Sequence, residues 1–186
     1  MKSDGTLAPR GLAPRLEWQV GVWVGYAAQA LALVGGLVLI ALSVLTILSV
    51  TGRALIWAGL GPIPGDFELV EAGCAMAVFY FLPWCQLKRG HVTVDVFITW
   101  LHPARQALLT LIGNVLLTGV GILIARQLQA GLAERLTNGE TTFILQMPVW
   151  YGYLASLVGA WLFPVVCAYT VWRSVNEVFA GGEGSG

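Results

Sequence analysis

Residues 82–95 read LPWCQLKRGHVTVD, and this stretch divides a chain that is otherwise almost continuously apolar. It closes one apolar run, passes through Lys88, Arg89 and Gly90, and enters a shorter apolar segment that Asp95 interrupts. Basic residues in a short connection between apolar runs are typical of the cytoplasmic side of a membrane protein. The stretch therefore indicates both a membrane fold and its orientation.

The composition of the chain supports the membrane class. Of its 186 residues, 57% are hydrophobic and 11% are charged, and the mean hydropathy is +0.76. A soluble domain carries about 25% charged residues, so this chain could not cover its own surface in water. The formal net charge is zero, which indicates no nucleic acid or other polyanionic partner.

Four apolar runs predict an all-α integral membrane protein, with spans at about residues 22–50, 67–87, 105–128 and 148–172. A cytoplasmic tail, 1–19, precedes them, and residues 176–186 are expected to form a flexible tail. No charge interrupts Trp18 to Gly52, which as a helix would measure about 50 Å against a hydrocarbon core of roughly 30 Å. The first helix is therefore tilted, extends beyond the bilayer, or begins with an interfacial turn.

Charged residues lie where the first two spans meet. Asp66 is the expected N-cap of the second helix, and Glu68 and Glu71 follow where carboxylates suit the helix dipole. Arg53 ends the first span, so an ion pair between Arg53 and Glu71 is feasible. Such a pair would lock the two helices together, contact a second membrane protein, or do both.

Prolines and polar residues define the last two spans. The polar stretch 126–140 is expected to extend the third helix as far as Asn138 and Gly139. Pro148, followed by Trp150, is expected to open the fourth helix. Pro164 lies inside that helix and is expected to kink it.

Between the second and third spans, residues 92–102 are predicted to form a short amphipathic helix in the membrane interface. A strand also fits the alternation of this segment, but an unpaired strand at a membrane is costly. In the helical interpretation His91 and Asp95 are structural residues of this interfacial segment.

The basic residues predict the orientation of the four spans. Seven are on the side of the termini and the middle connection: Lys2, Arg10, Arg15, Lys88, Arg89, Arg105 and Arg173. Three are on the other side: Arg53, Arg126 and Arg135. The positive-inside rule therefore predicts that both termini are cytoplasmic.

Motifs for chemistry are missing from the sequence. It contains no phosphate-binding loop, HExxH, dinucleotide fingerprint or GxSxG elbow, so we expect no enzymatic activity, metal or cofactor. His91 and His102 lie outside the spans, which argues against a transmembrane haem. Cys74, Cys85 and Cys167 are widely separated and are expected to be small packing residues, with a redox role as the alternative.

Several short motifs resemble one family by their order and spacing. They are Arg53, Gly65-x-x-Glu68-Leu69, Lys88-Arg89-Gly90-His91-Val92-x-Val94-Asp95, Pro148-Val149-Trp150 and the downstream Pro164. Over about residues 26–173 the chain resembles the small, Q-type (DctQ-like) permease subunit of the tripartite ATP-independent periplasmic (TRAP) transporters.

The resemblance implies a multi-pass protein of the bacterial inner membrane that works with two partners. One is a large, M-type permease subunit that carries the substrate and sodium sites. The other is a periplasmic binding protein that delivers a carboxylate-bearing solute, such as a sialic acid or a dicarboxylate. The small subunit would be a non-catalytic scaffold, and the charged residues named above would be structural or lie at subunit interfaces.

Two other functions stay open on the sequence. One is a four-span membrane redox enzyme that uses the three cysteines. The other is a small transporter that works alone, although the spans show no internal repeat and no plainly broken helix of the kind that secondary transporters use for binding.

Overall fold

In a computed structural model, residues 14–88 and 103–181 are described, with side chains described at 19–88, 109 and 111–175. The described part contains four long helices: α1 (Pro14–Ala54), α2 (Asp66–Leu87), α3 (Pro103–Asn138) and α4 (Trp150–Gly181). A short 3-10 helix, Ile56–Ala58, lies between α1 and α2. All four long helices are long and apolar enough to cross a membrane, which confirms the predicted all-α, four-span fold.

The outer helices α1 and α4 are longer than the predicted spans. Helix α1 already begins at Pro14, and a proline suits the first helical position because its missing N–H has no partner there. Helix α4 continues through residues 176–181, which were expected to be flexible. A charged residue such as Arg173 ends a membrane span without ending the helix, which here continues to Gly181.

The starts of α2 and α4 differ from the predicted ones. Gly65, with a φ of 77°, is the N-cap of α2, and Asp66 is the first helical residue. Helix α4 begins at Trp150, and Pro148 lies before it in an antiparallel bridge with Thr141. The carbonyl oxygen of Pro148 accepts from the amide of Tyr151 at 3.2 Å, so Pro148 lies at the junction between the bridge and the helix.

The predicted interfacial helix, 92–102, lies outside the described residues. The same holds for Arg89, His91 and Asp95 among the candidate site residues. Their roles therefore stay predictions.

Helices α2 and α4 form the middle of the molecule. They pack against each other, α1 packs mainly against α2, and α3 packs mainly against α4. A Cβ atom added to Gly159 of α4 would lie 2.4 Å from the carbonyl oxygen of Phe79, so glycine permits the close approach of α2 and α4. Of the four spans, α4 is the most buried and α1 the least.

Large apolar side chains remain exposed on the two flanking helices. On α1 they include Leu33, Leu37, Ile40, Val44 and Ile47, and on α3 Ile112, Val115, Leu116, Val120 and Leu123. In a membrane such faces contact lipid or another membrane protein.

Successive helices run in opposite directions, which gives the molecule two distinct ends. The loop end carries the α1–α2 connection (55–65) and the α3–α4 connection (139–149), which we call the 139–149 loop. The terminal end brings together the end of α2, the beginning of α3 and the end of α4, as hydrogen bonds from Gln86 to Asn114 and Thr170 show.

Candidate functional site

A cleft of about 870 Å³ opens at the loop end of the molecule. Helices α2, α3 and α4 form its sides and the 139–149 loop contributes its remaining wall. Four charged side chains line the cleft: Glu68, Glu71, Arg135 and Glu140. Apolar and aromatic groups line most of the rest, including Leu69, Phe79, Leu128, Leu145 and Tyr153.

The 139–149 loop has a defined hairpin-like structure. The amide of Thr142 donates to the carbonyl oxygen of Met147 at 2.8 Å, and the amide of Val149 donates to that of Glu140 at 3.0 Å. The turn requires a positive φ of 54° at Gln146, which few residues other than glycine adopt. The loop presents Phe143 outward, with 96% of that residue exposed.

Glu68 joins this loop to α2. Its two carboxylate oxygens accept hydrogen bonds from the amides of Ile144 at 2.7 Å and Leu145 at 3.0 Å. An ionised carboxylate that accepts two backbone amides forms charge-assisted bonds, which are stronger than neutral ones. Glu68 therefore fixes the position of the loop tip, a contact between residues 76 positions apart.

At the end of α3, Arg135 forms an ion pair with Glu140. The side-chain amide of Asn138 also donates to the carboxylate of Glu140, at 3.2 Å. These two groups favour the charged form of the carboxyl, and the Asn138 amide followed by the Arg135 guanidinium lowers the pKa of Glu140. Glu140 thereby closes the turn from α3 into the 139–149 loop.

The ion pair that the sequence made feasible between Arg53 and Glu71 is not formed between these described side chains. Arg53 lies exposed in the last turn of α1, whereas Glu71 is a cleft residue. The α1–α2 junction is held instead by Ser49, whose hydroxyl donates to the carboxylate of Asp66 at 2.5 Å and accepts from the amide of Ile63 at 3.3 Å. Ser49 is completely buried. Its two hydrogen bonds join α1 to the start of α2, where the ion pair was expected.

Glu71 differs from the other two cleft carboxylates. Glu68 and Glu140 are occupied by the contacts described above, but Glu71 makes no hydrogen bond or ion pair with any side chain or backbone group that the structure describes. It lies in α2, within a helix segment that is apolar enough to cross a membrane. Its acceptor oxygens are available to a further group in the cleft.

Helix α4 contributes two small residues to the cleft in addition to its tyrosines. Gly152 and Ser156 are one helical turn apart on α4, and Ala72 of α2 lies against Gly152. Ser156 is only 2% exposed, and its hydroxyl has no hydrogen-bond partner among the described residues. Small residues on two adjoining helices allow another backbone to approach closely.

A polar network at the terminal end was missed by the sequence analysis. The side-chain amide of Gln86 donates to Asn114 of α3 and to Thr170 of α4, both at 3.0 Å, and Asn114 donates to Ser174 at 2.9 Å. Hydrogen bonds of this kind hold membrane helices together. The signal was present, because Gln86 and Asn114 are isolated amides inside apolar runs.

The remaining predicted residues do not join the cleft. Lys88 lies at the end of α2 with its ammonium 4.8 Å from the centre of the Trp84 ring, a cation–π contact at the terminal end. Trp150 begins α4 and stacks on Tyr151. Pro164 is buried within α4, and its predicted kink stays a prediction.

The cysteines form no cluster. All three are free, and Cys74 and Cys85 lie eleven residues apart on the same helix, about 16 Å, which is too far for a disulfide. In the segments that the structure describes, no group of His, Cys, Asp and Glu side chains could hold a metal ion. Of the predicted site residues, the structure therefore brings together Glu68, Glu71 and Pro148, all of which line the cleft.

Comparison with known proteins identifies the family of this four-helix protein. The family model described as "Tripartite ATP-independent periplasmic transporters, DctQ component" matches residues 42–177, which is well over half of the chain. The matched region contains the cleft, the 139–149 loop and the polar network. Neither the curated proteins nor the solved structures gave a match. The chain belongs to the DctQ family, the small permease subunits of the tripartite ATP-independent periplasmic transporters.

Proposed function

We propose that this chain is the non-catalytic, scaffolding subunit of a sodium-coupled importer of organic acids. Its partners are a large M-type permease subunit, which carries the solute and sodium, and a periplasmic binding protein, which delivers a carboxylate-bearing solute such as a sialic acid or a dicarboxylate. The chain needs no cofactor of its own, and sodium binds in the large subunit.

The main support for this proposal is that the chain belongs to the DctQ family. The four long helices that the structure describes also lie side by side in the order α1, α2, α4, α3, as an open layer. With α2 and α4 in the middle, α1 and α3 each keep a long apolar face exposed. Apolar faces of this length, on helices that pack against one side only, suit a subunit that supports a larger membrane protein. The described parts of the spans are also continuous helices, unlike the broken helices of many transport sites.

The proposed location is the bacterial inner membrane, with the terminal end in the cytoplasm and the loop end in the periplasm. The distribution of Lys and Arg supports this orientation. It places the cleft and the 139–149 loop on the side from which the binding protein arrives.

Uptake measured with separate subunits tests the proposal. We expect sodium-dependent uptake of an organic acid in proteoliposomes that contain this chain together with the large subunit and receive loaded binding protein. This chain alone should move no solute. Sodium-driven uptake by the chain alone would show that it is itself a transporter, and failure to co-purify with a large membrane subunit would contradict the scaffolding role.

A cysteine-free variant provides a second test of the same proposal. Replacement of Cys74, Cys85 and Cys167 by alanine or serine should leave uptake by the complete complex within about twofold of the wild type, because free packing cysteines contribute little beyond their volume. Loss of uptake in a variant that still assembles would favour the redox alternative.

A further inference from the structure

The cleft at the loop end has a charge that its own residues do not balance. It contains three carboxylates and one guanidinium, which gives a net charge of two negative. The Arg135 guanidinium is paired with Glu140, and Glu68 is occupied by two backbone amides. The two unbalanced charges are therefore those of Glu68 and Glu71, and of these two carboxylates only Glu71 has no hydrogen-bond partner among the described residues.

The cleft also extends far along α2. Its lining runs from Glu68 to Phe79, which is eleven positions further along the helix, or about 16 Å. That distance is about half of a hydrocarbon core of roughly 30 Å. An occupant must therefore be apolar over most of its length and cationic near the loop end, where Glu71 lies.

A second, independent feature lies deeper in the cleft. Ser156 is six residues into α4, about 9 Å from its beginning, and its buried hydroxyl has no partner among the described residues. A polar group buried away from water costs free energy unless it is hydrogen-bonded. The occupant should therefore offer a hydrogen-bonding group at this depth as well as a cation above it.

We propose that this cleft receives a transmembrane helix of the large permease subunit, with a Lys or Arg side chain paired with Glu71. The inference rests on the proposed function and identifies the surface through which this subunit would hold the large subunit. A helix supplies both required groups, a basic side chain near its end and a polar side chain about one and a half turns deeper. Ala72, Gly152 and Ser156 lie where α2 meets α4, so no large side chain at these positions stands in the path of that helix.

Other occupants fit the cleft less well. A phospholipid with an amine headgroup could pair with Glu71 and offer an ester carbonyl to Ser156, but its flexible acyl chains have no fixed shape that matches the apolar walls of the cleft. The periplasmic binding protein could reach the exposed loop tip at Phe143 but not a group within the membrane. A transmembrane helix satisfies both features and is also rigid along the apolar length of the cleft.

A charge reversal with a matched control tests the inference. Glu71→Lys should lower the amount of large subunit that co-purifies with this chain at least about tenfold, since like charges at a desolvated interface repel strongly. Glu134→Lys makes the same change in net charge on an exposed residue of α3 that does not line the cleft, and it should leave co-purification unchanged. Glu71→Asp should retain most of the wild-type yield.

Photo-crosslinking identifies the occupant even if Glu71→Lys folds poorly. A photoreactive phenylalanine in place of Phe79 should form an adduct with the large subunit in the assembled complex. Adducts with phospholipid alone, together with normal assembly of Glu71→Lys, would overturn the inference while the scaffolding role stands. A wild-type chain that never co-purifies with the large subunit would overturn the proposed function as well.

Discussion

Glu68 is the residue that most directly connects the helices to the loop. Its carboxylate accepts hydrogen bonds from the amides of Ile144 and Leu145, one on each oxygen. A carboxylate at the start of a helix ordinarily compensates the helix dipole. Here the same charge also orders a loop that begins more than 70 residues later in the chain.

Removal of this carboxylate should loosen the loop without unfolding the helices. In Glu68→Ala we expect faster hydrogen exchange at the amides of Ile144 and Leu145, because both lose their acceptor. Exchange in the middle of α4 should not change. Glu134→Ala, on an exposed part of α3, is the control. Unchanged exchange at both amides in Glu68→Ala would show that the loop is held by its internal bonds alone.

Glu140 should make stability depend on pH. Because Asn138 and Arg135 lower its pKa in the folded protein, its stabilising contribution is present above the pKa of the unfolded chain and is lost as pH falls through the folded value. The melting temperature of Glu140→Gln should therefore lie below that of the wild type at pH 7. The difference should shrink in acid, below about pH 4, where an ordinary glutamate protonates. A difference that is constant across this range would contradict the role of the charge.

At the scale of the helices, the polar network of Gln86, Asn114, Thr170 and Ser174 joins α2, α3 and α4 at the terminal end. Gln86 donates to groups on both of the other helices. A double-mutant cycle with Gln86→Leu and Asn114→Leu should give a coupling energy of about 0.6–2 kcal/mol, the range for side-chain hydrogen bonds between membrane helices. This coupling energy can be measured by unfolding the purified wild type, both single variants and the double variant in detergent. Strict additivity of the two changes would mean that the hydrogen bond contributes nothing.

The close approach of α2 and α4 should depend on the absence of a side chain at Gly159. In Gly159→Ala the new methyl group would overlap the backbone of Phe79, and overpacking of this kind costs about 1–3 kcal/mol. Gly36→Ala on α1 is the matched control, because no atom lies within 4 Å of the added Cβ. We expect a lower melting temperature for Gly159→Ala only. Equal melting temperatures for the two variants would show that the α2–α4 contact is able to adjust.

The helices themselves could be predicted from the sequence, but their contacts could not. Uncharged runs such as Trp18 to Gly52 determine a span because a membrane admits few charges. The central position of α2 and α4 depends on local close approaches, such as that at Gly159, which periodicity does not reveal. The partners of Glu68 could not be predicted for a different reason. They are backbone amides of a distant loop, and nearly every residue type has a backbone amide, so the sequence does not single them out.

At the scale of the whole molecule, the four long helices that the structure describes are joined by different kinds of contact at their two ends. Charge-assisted bonds and an acidic cleft characterise the loop end, while uncharged amides and hydroxyls join the helices at the terminal end. This asymmetry matches the two tasks proposed for the subunit. In the proposed function the loop end meets partners, and the terminal end keeps the helices together.

Accessibility labelling tests the orientation that this division requires. In the cysteine-free background, Phe143→Cys at the loop end should react with a membrane-impermeant maleimide in cells whose outer membrane is permeable, since the residue is 96% exposed. Lys88→Cys, which is exposed at the terminal end, should react only after the inner membrane is broken. The reverse pattern would place the termini outside, and the cleft would then face the cytoplasm, away from the binding protein. Because the two positions lie on opposite ends of one layer, labelling of both in intact cells would contradict a four-span membrane fold altogether.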